Sequence, residues 1–316
     1  SLHAHLCLLA LHTRRPVKMV YSREESFHGH VHRHPARMWY RHHADRAGNL
    51  VRVEARLLLD GGAYASSSGA VIANATCFAA GPYRVPSADI EGVVVRTNNP
   101  PCGAMRGFGS VQACIGHEAQ MDRLAAALGM DPVELRLRNV LATGDRLSTG
   151  QVITGTAPVA EVLRTCVDHP SAASLSGDPM SLPGGAGRTA DPAHVRRGEA
   201  VALGFKNLMF SEGFDDSSSA ICRLEGGVAT VTCACAEVGQ GFVTLAQQIT
   251  REVLGVEEVV LAPAATATVG SAGSTSASRQ SWMSGGAVQA ACEEVRVRLL
   301  TRVADDSGVD PDELVL

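Results

Sequence analysis

The segment 97–113, which reads TNNPPCGAMRGFGSVQA, combines two prolines, three glycines and an arginine between a predicted strand and a predicted helix. Backbone N–H groups at such a turn bind anions, and the Arg106 guanidinium adds a permanent charge with forked donors. Phe108, between two glycines, could stack on a flat heteroaromatic ring, or it could fill the core beneath a tight turn. The segment therefore predicts either a binding loop or a structural turn.

Two further loops are rich in hydrogen-bond donors. Residues 236–241 (AEVGQG) present Gly239, Gln240 and Gly241 at the start of a predicted helix. Residues 268–280 (TVGSAGSTSASRQ) combine hydroxyls, two glycines and Arg279, a composition that can bind a phosphate or diphosphate. Neither loop has P-loop or Rossmann spacing. Each alone could be a simple connection, but three such loops before helices suggest one large polyanionic cofactor.

Histidine and cysteine patterns predict no metal centre. Four histidines alternate between residues 28 and 34. On a strand they would share one face about 6.6 Å apart, whereas zinc needs converging nitrogens, so we interpret them as a polar strand edge. The nine cysteines are an odd number with mostly apolar neighbours, which suits reduced, buried thiols in the cytoplasm. Cys233 and Cys235 are expected to pack in the core.

Periodicity and capping signals define the elements that carry these loops. We predict helices at 1–12, 111–128, 132–140, 241–254 and 284–303. We predict strands at 15–21, on both sides of a turn at 45–49 within 36–60, at 90–96, 200–210, 219–224 and 228–235, and an extended segment at 257–269. Gly129 should end one helix, and Asp131 and Pro132 should begin the next. Because strands and helices do not alternate regularly, the predicted fold class is α+β.

Length and composition indicate a globular protein of about two domains. The chain has 316 residues, of which 45% are hydrophobic and 19% charged. We predict domains at 1–165 and 200–316, joined by a linker at 166–199 that is rich in Ser, Gly, Pro, Asp and Ala. A net charge of −4 argues against nucleic acid as a partner, and no apolar run approaches a membrane span. The chain begins in an apparent mid-helix without signal-peptide features, so we expect residue 1 not to be the native start.

These motifs, in this order, resemble those of the molybdenum hydroxylase family, which includes xanthine dehydrogenases, aldehyde oxidases and their bacterial relatives. Residues 106–109 resemble the family's Arg-Gly-Phe-Gly motif, and residues 121–125 and 129–139 are similar to its next helices. Residues 238–241 and 274–280 match two further cofactor loops. The resemblance covers essentially the whole chain. It implies part of a bacterial xanthine dehydrogenase-type large subunit, with two molybdopterin-binding subdomains of mixed sheets and flanking helices.

The resemblance also implies a molybdopterin cofactor with molybdenum, in the cytosine dinucleotide form. It puts Arg106 beside the molybdenum and Phe108 against the substrate ring. No side chain of this chain would ligate the metal directly. Further cofactor contacts would come from Gly239, Gln240, Gly241, Thr275, Ser276 and Ser278.

In the family, water supplies the oxygen that is added to an electron-poor carbon, and the electrons leave through iron–sulfur clusters and flavin. The chain lacks a cysteine framework for such clusters, so iron–sulfur and FAD subunits are the expected partners, in a cytoplasmic homodimer of the full assembly. The general-base Glu of the family is expected beyond Leu316, and a Gly-rich loop before Ser1. We therefore regard both subdomains as truncated and expect the chain alone to be inactive.

The substrate class remains divided among alternatives. Animal-type xanthine dehydrogenases have a substrate-binding Arg in the region that reads DGGAYAS at 60–66 here, without an Arg. This form recurs in relatives that act on purines and in relatives that act on nicotinate-like rings. A purine, hypoxanthine or xanthine, is our first expectation. An aldehyde or another N-heterocycle is the alternative, and a non-catalytic phosphate-binding or assembly module is an alternative of another class.

Overall fold

A computed structural model of the chain describes residues 2–169, 199–208, 216–265, 268–310 and 313–314. Two compact units make up the chain, Ser1–Phe205 and Lys206–Leu316. Most of the predicted linker 166–199 lies outside the described residues. The domain boundaries 1–165 and 200–316 therefore remain predictions.

A three-stranded mixed sheet organises the first unit. Strand β1 (Ala36–Ala44) is antiparallel to β2 (Leu50–Gly62), and β2 is parallel to the edge strand β3 (Ser87–Arg96). The predicted turn between β1 and β2 is confirmed, since Asn49 donates its N–H and its amide group to the Asp45 carboxylate at 2.9 and 2.8 Å. One face of β2 is buried against α3 (Ser68–Cys77) and α4 (Ser110–Leu128).

The other helices of the first unit are α1 (Leu2–Thr13), α2 (Arg23–Gly29), α5 (Pro132–Asn139) and α6 (Val159–Asp168). The predicted capping signals are confirmed: Gly129 ends α4 with a φ of 64°, and the Asp131 carboxylate accepts two N–H bonds at the start of α5. A buried ion pair joins α4 to α5, with Arg136 Nε 2.8 Å from Glu118 Oε2. The same carboxylate accepts the Leu203 N–H at 2.8 Å, which ties this residue to the first unit.

A second mixed sheet organises the other unit. Strand β5 (Val228–Cys233) pairs antiparallel with β4 (Ala220–Glu225) and parallel with β6 (Glu258–Leu261). Helix α7 (Phe242–Leu254) connects β5 to β6, and a π-helical turn (Gln280–Ser284) leads into α8 (Gly285–Ser307). The two helices and the sheet enclose one apolar core, in which Ala229, Val231, Ala246 and Val288 are almost fully buried. The observed architecture confirms the α+β class and the mixed sheets.

Four sequence predictions differ from the structure. No strand forms at 15–21 or among the described residues of 200–210, because an apolar run forms a strand only where another strand offers backbone partners. The alternating histidines are not on one strand face, because a capping box between Ser22 and Glu25 begins α2, which contains His28. That box was readable in the sequence. In the segment predicted to be extended at 257–269, the described residues form a strand only at β6.

No described helix is both long and apolar enough to cross a membrane. Helix α1 has no buried residue, and Leu8 and Leu11 are exposed.

Candidate functional site

In the first unit, three segments meet at one edge of the sheet. Since β2 and β3 are parallel, the loops that follow them leave at the same edge, where β1 begins. Backbone hydrogen bonds join these segments: His32 N–H donates to Pro101 O at 3.1 Å, and Ala63 N–H donates to Asn99 O at 2.9 Å. The segment that contains Arg106 is therefore held on both sides.

Asp60 fixes the turn that leads from β3 toward Arg106. Its carboxylate accepts hydrogen bonds from Thr97 Oγ1 at 2.7 Å, from the Gly62 N–H at 2.8 Å and from the Asn99 amide. The Thr97 bond is the largest of the effects that lower the pKa of Asp60. Gly62 has a φ of 67°, and a Cβ there would lie 2.1 Å from Pro100 O, so the close approach of the two loops requires glycine.

The guanidinium of Arg106 is exposed and makes no hydrogen bond or ion pair with another described residue, while its carbonyl accepts from Arg33 Nη2 at 2.7 Å. Phe108 is half-buried and packs against the core beneath the turn. Its carbonyl accepts from the Asn74 amide at 2.7 Å. Arg106 is thus free to bind a ligand, and the Phe108 ring lies against the core of its own unit.

Strained backbone is concentrated in the loops of this edge and in one loop of the second unit. Tyr64, Ser66 and Phe108 have φ values of 64°, 43° and 48°, and Ala277 and Ser278 have 51° and 55°. Left-handed conformations at non-glycine residues cost roughly 1–3 kcal/mol each and occur often at functional sites. Tyr64 is also 78% exposed. Tyr64 and Ser66 were not among the residues selected from the sequence, although they closely follow the pair of glycines at 61–62.

In the second unit, the two predicted cofactor loops lie side by side. They follow the parallel strands β5 and β6 and therefore leave the sheet at the same edge. The Ala236 carbonyl accepts from Gln240 Nε2 at 2.9 Å and from Thr275 Oγ1 at 3.1 Å. Cys233 and Cys235, which were predicted to pack in the core, are half-buried and pack against it. Cys235 also donates its thiol to Gln280 Oε1 at 2.7 Å. Gln240 and Thr275, two predicted site residues, thus donate to the same carbonyl oxygen.

The donors of the loop 236–241 are already used within the chain. The Gly239 N–H donates to Glu237 Oε1 at 2.7 Å and the Gly241 N–H donates to the same oxygen at 3.2 Å. Gln240 Oε1 accepts from the Val238 N–H at 2.7 Å. From the sequence these backbone donors were expected to be free, and the role of Glu237 was not anticipated. The segment contains no Ser or Thr that would have indicated a capping pattern there.

Arg279 holds the loop that precedes α8. Its side chain is fully buried and forms an ion pair with Asp216. Its Nη1 donates to Ala272 O at 2.7 Å and to Ser274 O at 3.2 Å, and its Nη2 donates to Ser217 O at 2.7 Å. The sequence had suggested that Arg279 could bind phosphate, but its guanidinium is committed to the carbonyls of its own unit.

Ser276 and Ser278 are exposed, and their hydroxyls make no hydrogen bond with the described residues. Ala277, which lies between them, and Ser278 itself have left-handed backbone conformations. Consecutive backbone N–H groups in such conformations form anion-binding concavities. This segment therefore has the free donors that a phosphate-bearing ligand needs.

Both units contain features that fit a large polar cofactor. In the first unit, the buried atoms Arg33 Nη1, Ser67 Oγ and Gln112 Oε1 have no hydrogen-bond partner, and such atoms are costly unless a ligand or water satisfies them. In the second, the free donors lie around Ser276 and Ser278. Among the described residues, no group of three or more His, Cys, Asp or Glu side chains could hold a metal ion. These features suit a cofactor held by hydrogen bonds.

Comparison with protein families agrees with this geometry. Residues 1–140 match one model described as a molybdopterin cofactor-binding domain, and residues 184–316 match a second model of the same description. The two matches contain Arg106 in the first and the loops that carry Gln240 and Thr275 in the second.

Individual proteins give the same result. The chain is 32% identical over 318 residues to a probable xanthine dehydrogenase subunit of Bacillus subtilis, a match of 100% of this chain and 41% of that protein. It is 46% identical over 163 residues to the nicotinate dehydrogenase large molybdopterin subunit of Eubacterium barkeri, which is 52% of this chain and 38% of that one.

The fold is also similar to a solved structure, the aldehyde oxidoreductase from Desulfovibrio gigas. The TM-score is 0.70 at 26% identity, over 90% of this chain and 31% of that one. The chain therefore spans about two fifths or less of the length of these proteins.

Proposed function

We propose that this chain is part of a hydroxylase that oxidises a purine. It belongs to the molybdenum hydroxylase family, as a molybdopterin-binding part of the large subunit. The observation that carries the cofactor assignment is the pair of adjoining loops in the second unit, where Gln240 and Thr275 share the Ala236 carbonyl and Ser276 and Ser278 keep free hydroxyls. The purine assignment is supported by the Bacillus subtilis relative, whose match spans the whole chain.

Each unit contributes residues of its own to this proposed role. We assign the free guanidinium of Arg106 to the metal end of the cofactor, where a permanent cation favours negative charge. Gly239, Gln240 and Gly241 would border the pterin, Thr275 would lie close to the metal, and the hydroxyls of Ser276 and Ser278 would donate to phosphate or pterin oxygens. Phe108 is half-buried, and the exposed part of its side chain would contact the substrate ring. The cofactor, when bound, supplies the two-electron oxidation of an electron-poor carbon, with water as the oxygen source.

No residue of this chain is assigned as the general base. Glu237 lies in the cofactor loops, but its carboxylate already accepts three N–H bonds, which lower its pKa and make it a weak proton acceptor. The proposal therefore leaves proton transfer to a carboxylate beyond Leu316.

The wider assembly is part of the same proposal. The cofactor takes the cytosine dinucleotide form, and iron–sulfur and FAD subunits carry the electrons away in a dimeric cytoplasmic complex. The Bacillus subtilis and Eubacterium barkeri relatives are both named as single subunits of their enzymes, which supports a multi-subunit assembly.

A nicotinate-like ring is the second candidate substrate, favoured by the 46% identity to the Eubacterium barkeri protein. The test is a comparison of kcat/KM for hypoxanthine, xanthine, nicotinate and a simple aldehyde with the full-length enzyme and its partners. We expect the purines to have the highest values. A preference for nicotinate or for the aldehyde would reject the purine assignment, and wild-type turnover after Arg106→Ala would reject the assigned role of Arg106.

A further inference from the structure

The carboxylate of Glu237 occupies the start of helix α7. Its Oε1 accepts from the Gly239 and Gly241 N–H groups, and its Oε2 accepts from the Val243 N–H at 3.1 Å. The hydrogen bond from Val243 is the largest contribution to the lowered pKa of this group. At neutral pH the side chain is therefore an anion, located where a helix presents its unpaired N–H groups and the positive end of its dipole.

The residue before Glu237 is the point at which the two loops meet. Ala236 O accepts from both Gln240 Nε2 and Thr275 Oγ1. Gln240 Oε1 in turn accepts a hydrogen bond from the Val238 N–H. The carboxylate of Glu237 therefore closes a turn from residue 237 to residue 243, and this turn contains Gln240.

We propose that Glu237 is a positioning residue for cofactor binding: by occupying the start of α7 it fixes the turn that holds Gln240 beside Thr275. The inference rests on the proposed function, because it takes these two side chains as cofactor contacts. It also implies that the anionic part of the cofactor does not bind at the start of α7. The Glu237 carboxylate already binds the N–H groups of Gly239, Gly241 and Val243 and would repel a second anion there, whereas the hydroxyls of Ser276 and Ser278 are free.

Three variants of the full-length subunit, purified in its natural assembly, test this role. Glu237→Ala removes all three hydrogen bonds. Glu237→Gln keeps an oxygen for the Gly239 and Gly241 N–H groups but turns an amide nitrogen toward the Val243 N–H. Glu252→Ala is the control, because Glu252 is an exposed glutamate of the same helix whose side chain makes no hydrogen bond or ion pair with the described residues.

The readouts are molybdenum and pterin per folded subunit, and the circular dichroism of the bound cofactor. We expect Glu237→Ala to lower the cofactor content of cofactor-limited preparations about tenfold, roughly what one charge-assisted hydrogen bond contributes. Glu237→Gln should lie between this variant and wild type, and Glu252→Ala should match wild type. If Glu237→Ala does not fold, the comparison of Glu237→Gln with wild type decides.

Two results would overturn the inference in distinguishable ways. Full cofactor content and an unchanged dichroism spectrum in the Glu237 variants, even at a lower unfolding temperature, would make Glu237 a simple helix cap. Wild-type protein without molybdopterin would instead overturn the proposed function, and the inference with it.

Discussion

Replacing the buried Arg279 by methionine should destabilise the second unit and loosen the loop before α8. Methionine has a similar volume but no donors, so the ion pair with Asp216 and the hydrogen bonds to the carbonyls of Ala272, Ser274 and Ser217 are lost. Removing one partner of a buried ion pair costs about 3–5 kcal/mol.

The assay combines thermal unfolding of the full-length subunit with hydrogen exchange of residues 268–284, which reports the local free energy of opening. Arg298→Met is the matched control, because Arg298 is an exposed arginine of α8 whose pair with Glu294 should contribute only about 0.3–0.5 kcal/mol. A loss below about 1 kcal/mol for Arg279→Met, together with unchanged exchange in the loop, would refute its role as the anchor of this loop.

Two further predictions concern Gly273 in the second unit and the buried Glu118–Arg136 ion pair in the first unit. Gly273→Ala should cost about 1–3 kcal/mol, because Gly273 has a φ of 68° and a Cβ would lie 2.6 Å from Arg279 Nη1; chemical unfolding should show this loss, and Gly286→Ala, with open space around the added methyl, should show none. Burial raises the pKa of Glu118, but hydrogen bonds and the charge of Arg136 outweigh this effect and lower it. The stability that the ionised Glu118 contributes should therefore be complete above its unfolded pKa and be lost as the pH falls through its lower folded pKa. Unfolding midpoints against pH should show a steeper acid decline for wild type than for Glu118→Gln, and equal declines would contradict this assignment.

The sequence predicted those parts of the fold that short-range signals determine. Helices α4 and α5 follow from apolar periodicity and from the caps at Gly129 and Asp131, which act within a few residues. Wrong predictions arose where a distant partner decides the outcome. The run 15–21 has strand character, yet no strand among the described residues pairs with it.

For the candidate site, the sequence identified the loops but not the internal contacts that hold them. Arg279 and a phosphate-binding arginine look alike in sequence, and only the folded chain shows that carbonyls from residues 216–217 and 272–274 surround its guanidinium. The same holds for Phe108, whose two interpretations differ only in whether a core lies beneath it. The adjoining positions of the two loops in the second unit depend on the parallel pairing of β5 with β6, which no local signal encodes.

Whether this chain holds molybdopterin is tested most directly by measuring molybdenum and pterin in the purified full-length subunit. We expect close to one molybdenum and one pterin per subunit. A correctly folded subunit that contains neither, from cells that load other molybdenum enzymes, would contradict the claim.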